Sequence, residues 1–136
     1  MQSFEVRYYR PGSGFPPSCF FILSRGNNTG RPSYKANANC FVFSCAPQDL
    51  ERFYWIVYAL WYTGKFKPYL CGTLISFIHI HNLQLLISQA ANLSQIDQAI
   101  NILQKFLVLE NKLQKQLNLI KASRGALLHH IDCLAA

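Results

Sequence analysis

From Ser94 to about Ile131 the chain carries one uninterrupted amphipathic helical pattern. Steps of alternately three and four residues from Ile96 reach Ala99, Leu103, Phe106, Glu110, Leu113, Leu117, Ile120, Arg124, Leu127 and Ile131. That is an apolar seam broken only by Glu110 and Arg124, the spacing of a coiled-coil helix. At 1.5 Å per residue such a helix extends about 57 Å, longer than a small globular domain is wide. A domain built from the remaining residues cannot bury it, so the helix is expected to find its partner on another chain. The expected organisation is a head at residues 1–92 and a dimerisation helix at 93–136.

A head of that size can bury a modest core. The composition, 51% apolar and 14% aromatic with only 14% charged residues, excludes disorder. The formal net charge is +7, unevenly placed. Residues 1–82 hold eight basic and three acidic side chains, and the stretch from Arg7 to Lys35 holds five cations and no anion. Tyr8, Tyr9, Tyr34 and Tyr69 are interleaved with these cations. Cations neutralise phosphates while tyrosines supply stacking faces and hydroxyl donors, so the head fits a polyanion partner; a merely basic, soluble surface is the plainer alternative. Cys19, Cys40, Cys45, Cys71 and Cys133 form no C-x-x-C pair. Their odd number, with no signal peptide, favours reduced thiols in a cytoplasmic protein. The longest apolar run, Phe53 to Tyr62, is about half of what a membrane-spanning helix requires, and no membrane segment is expected.

Short stretches rich in Phe, Val, Ile and Tyr, at Phe4 to Tyr9, Cys19 to Leu23, Cys40 to Ser44 and Leu74 to Ile80, read as strands bounded by Gly, Pro and Asn clusters. Arg10 to Pro17 and Ser24 to Asn39 read as long loops, whose size and cations suggest function. Pro47 to Tyr62 reads as a helix, with Pro47 in the first turn, Asp49 and Glu51 near its positive end and Gly64 at the C-terminal cap. Its apolar positions Leu50, Phe53, Tyr54, Val57, Leu60 and Trp61 recur at helical spacing, so the aromatic stripe is expected to be core. Asn82 to Ala91 fits a short helix or an extended connector. Ser94 and Asp97 have the spacing of a capping box at the start of the long helix. The fold class implied is α+β: a small mixed-sheet head with one or two helices, then one long C-terminal coiled-coil helix.

No pattern of catalytic chemistry stands out. His79 and His81 would share one face of the expected strand, but two ligands fall short of a metal site, and no metal or cofactor is expected. His129, His130, Asp132 and Cys133 fall at a helix end that reads as surface. Glu5, Asp49 and Glu51 do not form a nuclease pattern, and no nucleophile elbow is present. The chain is therefore expected not to be an enzyme on its own. Gly26-Asn27-Asn28-Thr29-Gly30 lacks the Lys-Ser/Thr ending and following helix of a P-loop. Asn27, Asn28, Thr29, Arg31 and Lys35 still make a dense donor set, and Asn and Arg are the side chains that read adenine and guanine edges bidentately. A polar turn joining two strands is the alternative.

The order of features resembles half of a specificity subunit of Type I restriction-modification enzymes: one target recognition domain followed by its long helix. The similar pieces are Phe20 to Thr29, Cys40 to Phe43, the helix around Phe53-Tyr54-Trp55-Ile56-Val57-Tyr58-Ala59-Leu60, the strand Gly72-Thr73-Leu74-Ile75-Ser76-Phe77-Ile78, and Gln95 to Leu128, ending in Lys121-Ala122-Ser123-Arg124-Gly125-Ala126-Leu127-Leu128. The chain departs from that family in having one domain and one helix, Ser76 where a proline is usual, and no proline-rich connector before the helix. The resemblance implies a sequence-specific module for double-stranded DNA. Arg25, Asn27, Asn28, Thr29, Arg31 and Lys35 would lie on grooves and phosphates, with Lys65 and Lys67 on the backbone. The helix would set half-site spacing in an antiparallel homodimer through Leu103, Phe106, Glu110, Leu113, Leu117, Ile120, Arg124 and Leu127, with methylase or restriction subunits as further partners. The alternative is a protein-interaction or anti-restriction module that keeps this fold without reading DNA.

Overall fold

The computed structural model describes residues 3–136. It divides into two compact units, Met1–Asp97 and Gln98–Ala136. The first contains β1 (Phe4–Tyr8), β2 (Cys19–Leu23), β3 (Pro32–Ser33), β4 (Cys40–Cys45), α1 (Leu50–Tyr62) and α2 (Ile80–Ala91), with single turns of 3-10 helix at Pro47–Asp49 and Lys67–Tyr69. The second is the body of α3 (Ile96–Ala135). The class is α+β, as the sequence indicates. The strands form a sheet in the order β1-β4-β2-β3, and its pairings are all antiparallel rather than mixed.

Alternation of side chains across the sheet decides the core. In register, Val6 and Phe20 both face Phe43, and Ile22 faces Phe41. These residues lie on the α1 side, where Phe43 meets Phe53 at 5.2 Å and Phe20 stacks on Phe43 at 4.6 Å. Phe20, Ile22, Phe41, Phe43, Phe53, Ile56, Val57, Leu83 and Ile87 are fully buried. Each such side chain contributes about 1.5 to 3 kcal/mol of burial. The helix-period prediction for α1 holds for Phe53 and Val57, whereas Leu50, Tyr54, Leu60 and Trp61 are only half-buried and Ile56, outside the expected set, completes the buried face. Gly64, at φ +74°, ends α1 as expected: Lys65 N–H donates to Leu60 O (2.9 Å) and Gly64 N–H to Trp61 O (3.1 Å).

The opposite face of the sheet is covered too. Phe21, Cys40 and Val42 form a second small cluster with Tyr9 and Cys19. Phe15 closes over it, 5.1 Å from Phe21 and 5.7 Å from Tyr9, and Arg7 Nη2 donates to Gly14 O at 2.9 Å. The loop from Arg10 to Pro17, read from its cations as functional, therefore serves as the lid of the second sheet face.

The expected strand from Leu74 to Ile80 is absent. Gly72, at φ +99°, starts a pinched loop so tight that a Cβ there would lie 2.3 Å from Ile75 O. The loop closes where Cys71 and Phe77 exchange backbone hydrogen bonds of 2.9 and 3.0 Å, and Leu74 at its tip is 97% exposed. The segment joins neither edge strand of the sheet, and outside its own loop its bridge is the isolated one of Phe77 to Arg25. His79 instead stands at the N-cap position of α2, its side chain making no capping bond, and His81 lies in the first turn, so the shared strand face inferred for them does not exist. Asn82 to Ala91, which fits either a helix or a connector in sequence, is helical. A two-residue strand, Pro32–Ser33, lies inside what reads as the loop from Ser24 to Asn39.

Arg52 ties α1 to the end of α2 and to Asp97: Nη2 donates to Ala91 O (3.0 Å) and Nε pairs with the Asp97 carboxylate, the group expected to serve the capping box with Ser94. Helix α3 runs for 40 residues, about 60 Å. Along its expected seam, Phe106, Leu113, Leu117, Ile120 and Leu127 are 43 to 65% exposed, and Leu103 is half-buried. Glu110 and Arg124 are exposed on the same seam. No helix among the described residues is long and apolar enough to cross a membrane.

Candidate functional site

The polar loop between β2 and β3 is held in shape by its own backbone and by two glycines. Gly30 N–H donates to Leu23 O (2.8 Å), Leu23 N–H to Arg31 O (3.0 Å) and Arg31 N–H to Asn28 O (3.0 Å). Gly30 has φ +96°, and a Cβ on it would lie 2.2 Å from the ring of buried Phe66. Only glycine lets the loop press this closely on the core. Thr29, expected among the groove-facing donors, is buried beneath the loop. Its hydroxyl donates to Gly26 O at 2.6 Å and reaches Ser76 O at 3.4 Å, while Gly26 N–H donates to Ser76 O at 2.7 Å. Thr29 thus anchors the donor loop to the pinched loop and leaves Asn27 and Asn28 exposed at the tip.

Beyond that loop, Asn28, Arg31, Lys35 and Asn37 converge on one hollow of about 350 Å³ at the β3 edge of the sheet, walled by Tyr34 and Tyr54. The segment is shaped locally: Lys35 N–H donates to Ser33 Oγ (3.0 Å), Asn39 N–H donates to Asn37 Oδ1 (2.8 Å), and Cys40 Sγ donates to Asn37 O (3.1 Å). Tyr34 lies flat on Tyr54, with centroids 4.5 Å apart and planes at 6°. Burial, foremost, raises the pKa of both phenols; for Tyr34 the neighbouring Tyr54 and Glu51 add to it, and for Tyr54 the Arg31 cation partly offsets it. Both therefore remain hydroxyl donors at neutral pH. The Arg31 guanidinium lies 5.3 Å from the centre of the Trp61 ring. Arg31 and Lys35 pair with no carboxylate among the described residues, so their charges remain available to an anion.

The other expected contacts lie elsewhere. Arg25 borders a second hollow of about 310 Å³ with Tyr8, Tyr9, Asn39 and His79. Lys65 lines a separate, more apolar cleft of about 590 Å³ with Leu60, Tyr69, Leu86 and Leu93. Lys67 stands beside it against Gly64. Of the seven expected cations and amides, Asn28, Arg31 and Lys35 thus form one compact group, Asn27 stands at the loop tip beside it, and Arg25 and the two lysines lie apart. Asn37 was missed, although the Asn37-Ala38-Asn39 run signalled it, and Tyr34, named among the interleaved tyrosines, was not foreseen to stack on Tyr54.

Among the described residues, no three His, Cys, Asp or Glu side chains converge as a metal site would require. A hollow of about 520 Å³ at the far end of the sheet is lined by Glu5, Ser18 and Cys45. Burial, with Asp49 nearby, pushes the Cys45 thiol up to about 11, which leaves it protonated and a poor nucleophile. Burial likewise raises Cys19 and Cys40.

Residues 6–130 match the model of a family described as a family of unknown function, DUF6943. The chain belongs to this family. The match spans the sheet from within β1, the donor loop, α1, α2 and most of α3, so the hollow and the helix are covered by it together. No curated protein and no solved structure matches the chain.

Proposed function

We propose that the protein is a double-stranded DNA-binding module that works as an antiparallel dimer through α3, and that it is a binder rather than an enzyme. The observation that supports this reading best is the convergence of Asn28, Arg31, Lys35 and Asn37 on one hollow beside an exposed loop tip. Cations at the rim seat phosphates and fix register, while Asn27 and Asn28 at the tip present amides of the kind that pair with adenine edges. Arg25, Lys65 and Lys67 would add phosphate contacts outside the hollow. A two-fold dimer would carry two such readers, with the spacing of half-sites set by the rod between them. The likeness to Type I specificity subunits points the same way, although its Gly72 to Ile78 piece forms a loop here instead of a strand. Methylase or restriction subunits are partners on that likeness alone.

The test is duplex binding against salt. Binding should weaken as salt rises, and Arg31→Ala with Lys35→Ala should lower the log–log salt slope by about 2 and weaken binding at every salt. If the double variant binds duplex as tightly as the parent at low salt, the hollow is not the interface. A second reading, a protein-interaction or anti-restriction module, draws on the exposed apolar side chains of α3. A pull-down that retains methylase or nuclease subunits and no DNA would favour it.

A further inference from the structure

The outward flank of α1 carries a continuous aromatic ladder. From the Tyr34–Tyr54 stack it runs to Trp55 (5.2 Å), Tyr58 (5.4 Å), and on to Trp61 (5.8 Å) and Tyr62 (6.0 Å, planes at 16°). Phe20 braces it from the core, edge-on to Tyr54 at 5.4 Å. Core packing accounts for the half-buried middle rings but not for the ends, because the buried side of α1 is Phe53, Ile56 and Val57, and the two end rings, Tyr34 and Tyr62, are 57 and 73% exposed. The ladder also carries charge. Arg31 covers Trp61, Lys35 follows Tyr34, and Lys65 and Lys67 follow Tyr62 in the chain. Glu51, which faces Tyr34, is the acidic group at that end.

An occupant that suits such a surface must offer flat π-faces and negative charge together. An uncharged glycan or an apolar peptide lacks the charge, and a paired duplex hides its base faces. We propose that the ladder is a stacking platform for unpaired bases, so that the protein also holds single-stranded nucleic acid. The Tyr34–Tyr54 pair is already closed at 4.5 Å and admits no base between its rings. Bases stack instead on the free faces of Tyr34 and Tyr62, and Arg31 and the lysines take the phosphates. The inference rests on the nucleic-acid reading above and adds a strand-binding surface beside the duplex hollow, with Arg31 bordering both.

The experiment measures binding of the full chain to an oligothymidylate, to an abasic strand of the same length and charge, and to random duplex, all at low salt. The oligothymidylate should bind about tenfold or more tighter than the abasic strand and quench tryptophan fluorescence. Tyr34→Ala and Tyr62→Ala should each weaken it about tenfold; Tyr62→Ala, outside the duplex hollow, should leave the abasic strand and the duplex unaffected, and Tyr62→Phe should restore strand binding. Equal binding of the abasic strand, or oligothymidylate binding untouched by both alanine variants, overturns the platform even where salt-sensitive duplex binding is intact. Base-dependent strand binding without duplex binding supports the platform and sinks the duplex reading.

Discussion

Gly30 is the residue on which the donor loop depends most. Its positive φ and the Phe66 ring 2.2 Å from where a Cβ would stand make Gly30→Ala a steric insertion into the core, whereas Gly26, at φ +97°, faces open space. Gly30→Ala should cost about 2 to 4 kcal/mol in thermal or denaturant unfolding, and Gly26→Ala only about 1 kcal/mol, the backbone cost alone. Similar losses would mean that Phe66 moves aside freely. Cys45 gives a prediction of a different kind. Its thiol titrates near 11 in the folded protein against 9.0 without burial, so between those values the unfolded chain holds fewer protons than the native one. Stability should be unaffected by this group below about pH 9 and fall as pH rises toward 11; Cys45→Ala should flatten that alkaline decline in pH-dependent denaturation. An identical decline in the variant would assign it to the other raised groups, Cys19, Cys40, Tyr34 and Tyr54.

Among the elements, the loop from Arg10 to Pro17 behaves as a structural lid, with Phe15 touching both Tyr9 and Phe21. Because Phe15 is 49% exposed, Phe15→Ala should cost about 1 to 2 kcal/mol, less than a buried phenylalanine, and urea unfolding would measure it. An unchanged midpoint would show that the second sheet face needs no cover. β1, β2, β4 and α1 were legible in the sequence because each carries its own periodic run of apolar side chains between turn residues. β3 was not, since Pro32–Ser33 is a strand only by virtue of its pairing with Phe21 and Ile22. Leu74 to Ile80 misled because an apolar run signals a strand only if a sheet edge receives it, and Gly72 turns this one back on itself. The donor set was legible as composition, but Thr29 differs from Asn28 only in which way the loop faces. The outer flank of α1 was hidden by the rule that an aromatic stripe at helical spacing is core, which holds for Phe53 and only by half for Tyr54 and Trp61.

At the scale of the whole molecule, α3 presents water with an apolar strip that no isolated helix gains from exposing: Phe106, Leu109, Leu113, Leu117, Ile120, Leu128 and Ile131. Glu110 and Arg124 stand symmetrically about Leu117, so in an antiparallel pair each meets the opposite charge of the other copy, which fixes both direction and register. Glu110→Arg should loosen the dimer about tenfold or more, and adding Arg124→Glu should recover it, as sedimentation of the variants would show. No recovery would remove the antiparallel arrangement. The proposed molecule joins this rod to a basic reader of duplex DNA, and light scattering of the purified chain tests both at once. Alone it should scatter as two chains at low and moderate salt; random duplex should add mass at low salt and be released at moderate salt. A single-chain particle whose mass duplex DNA leaves unchanged at low salt would contradict it.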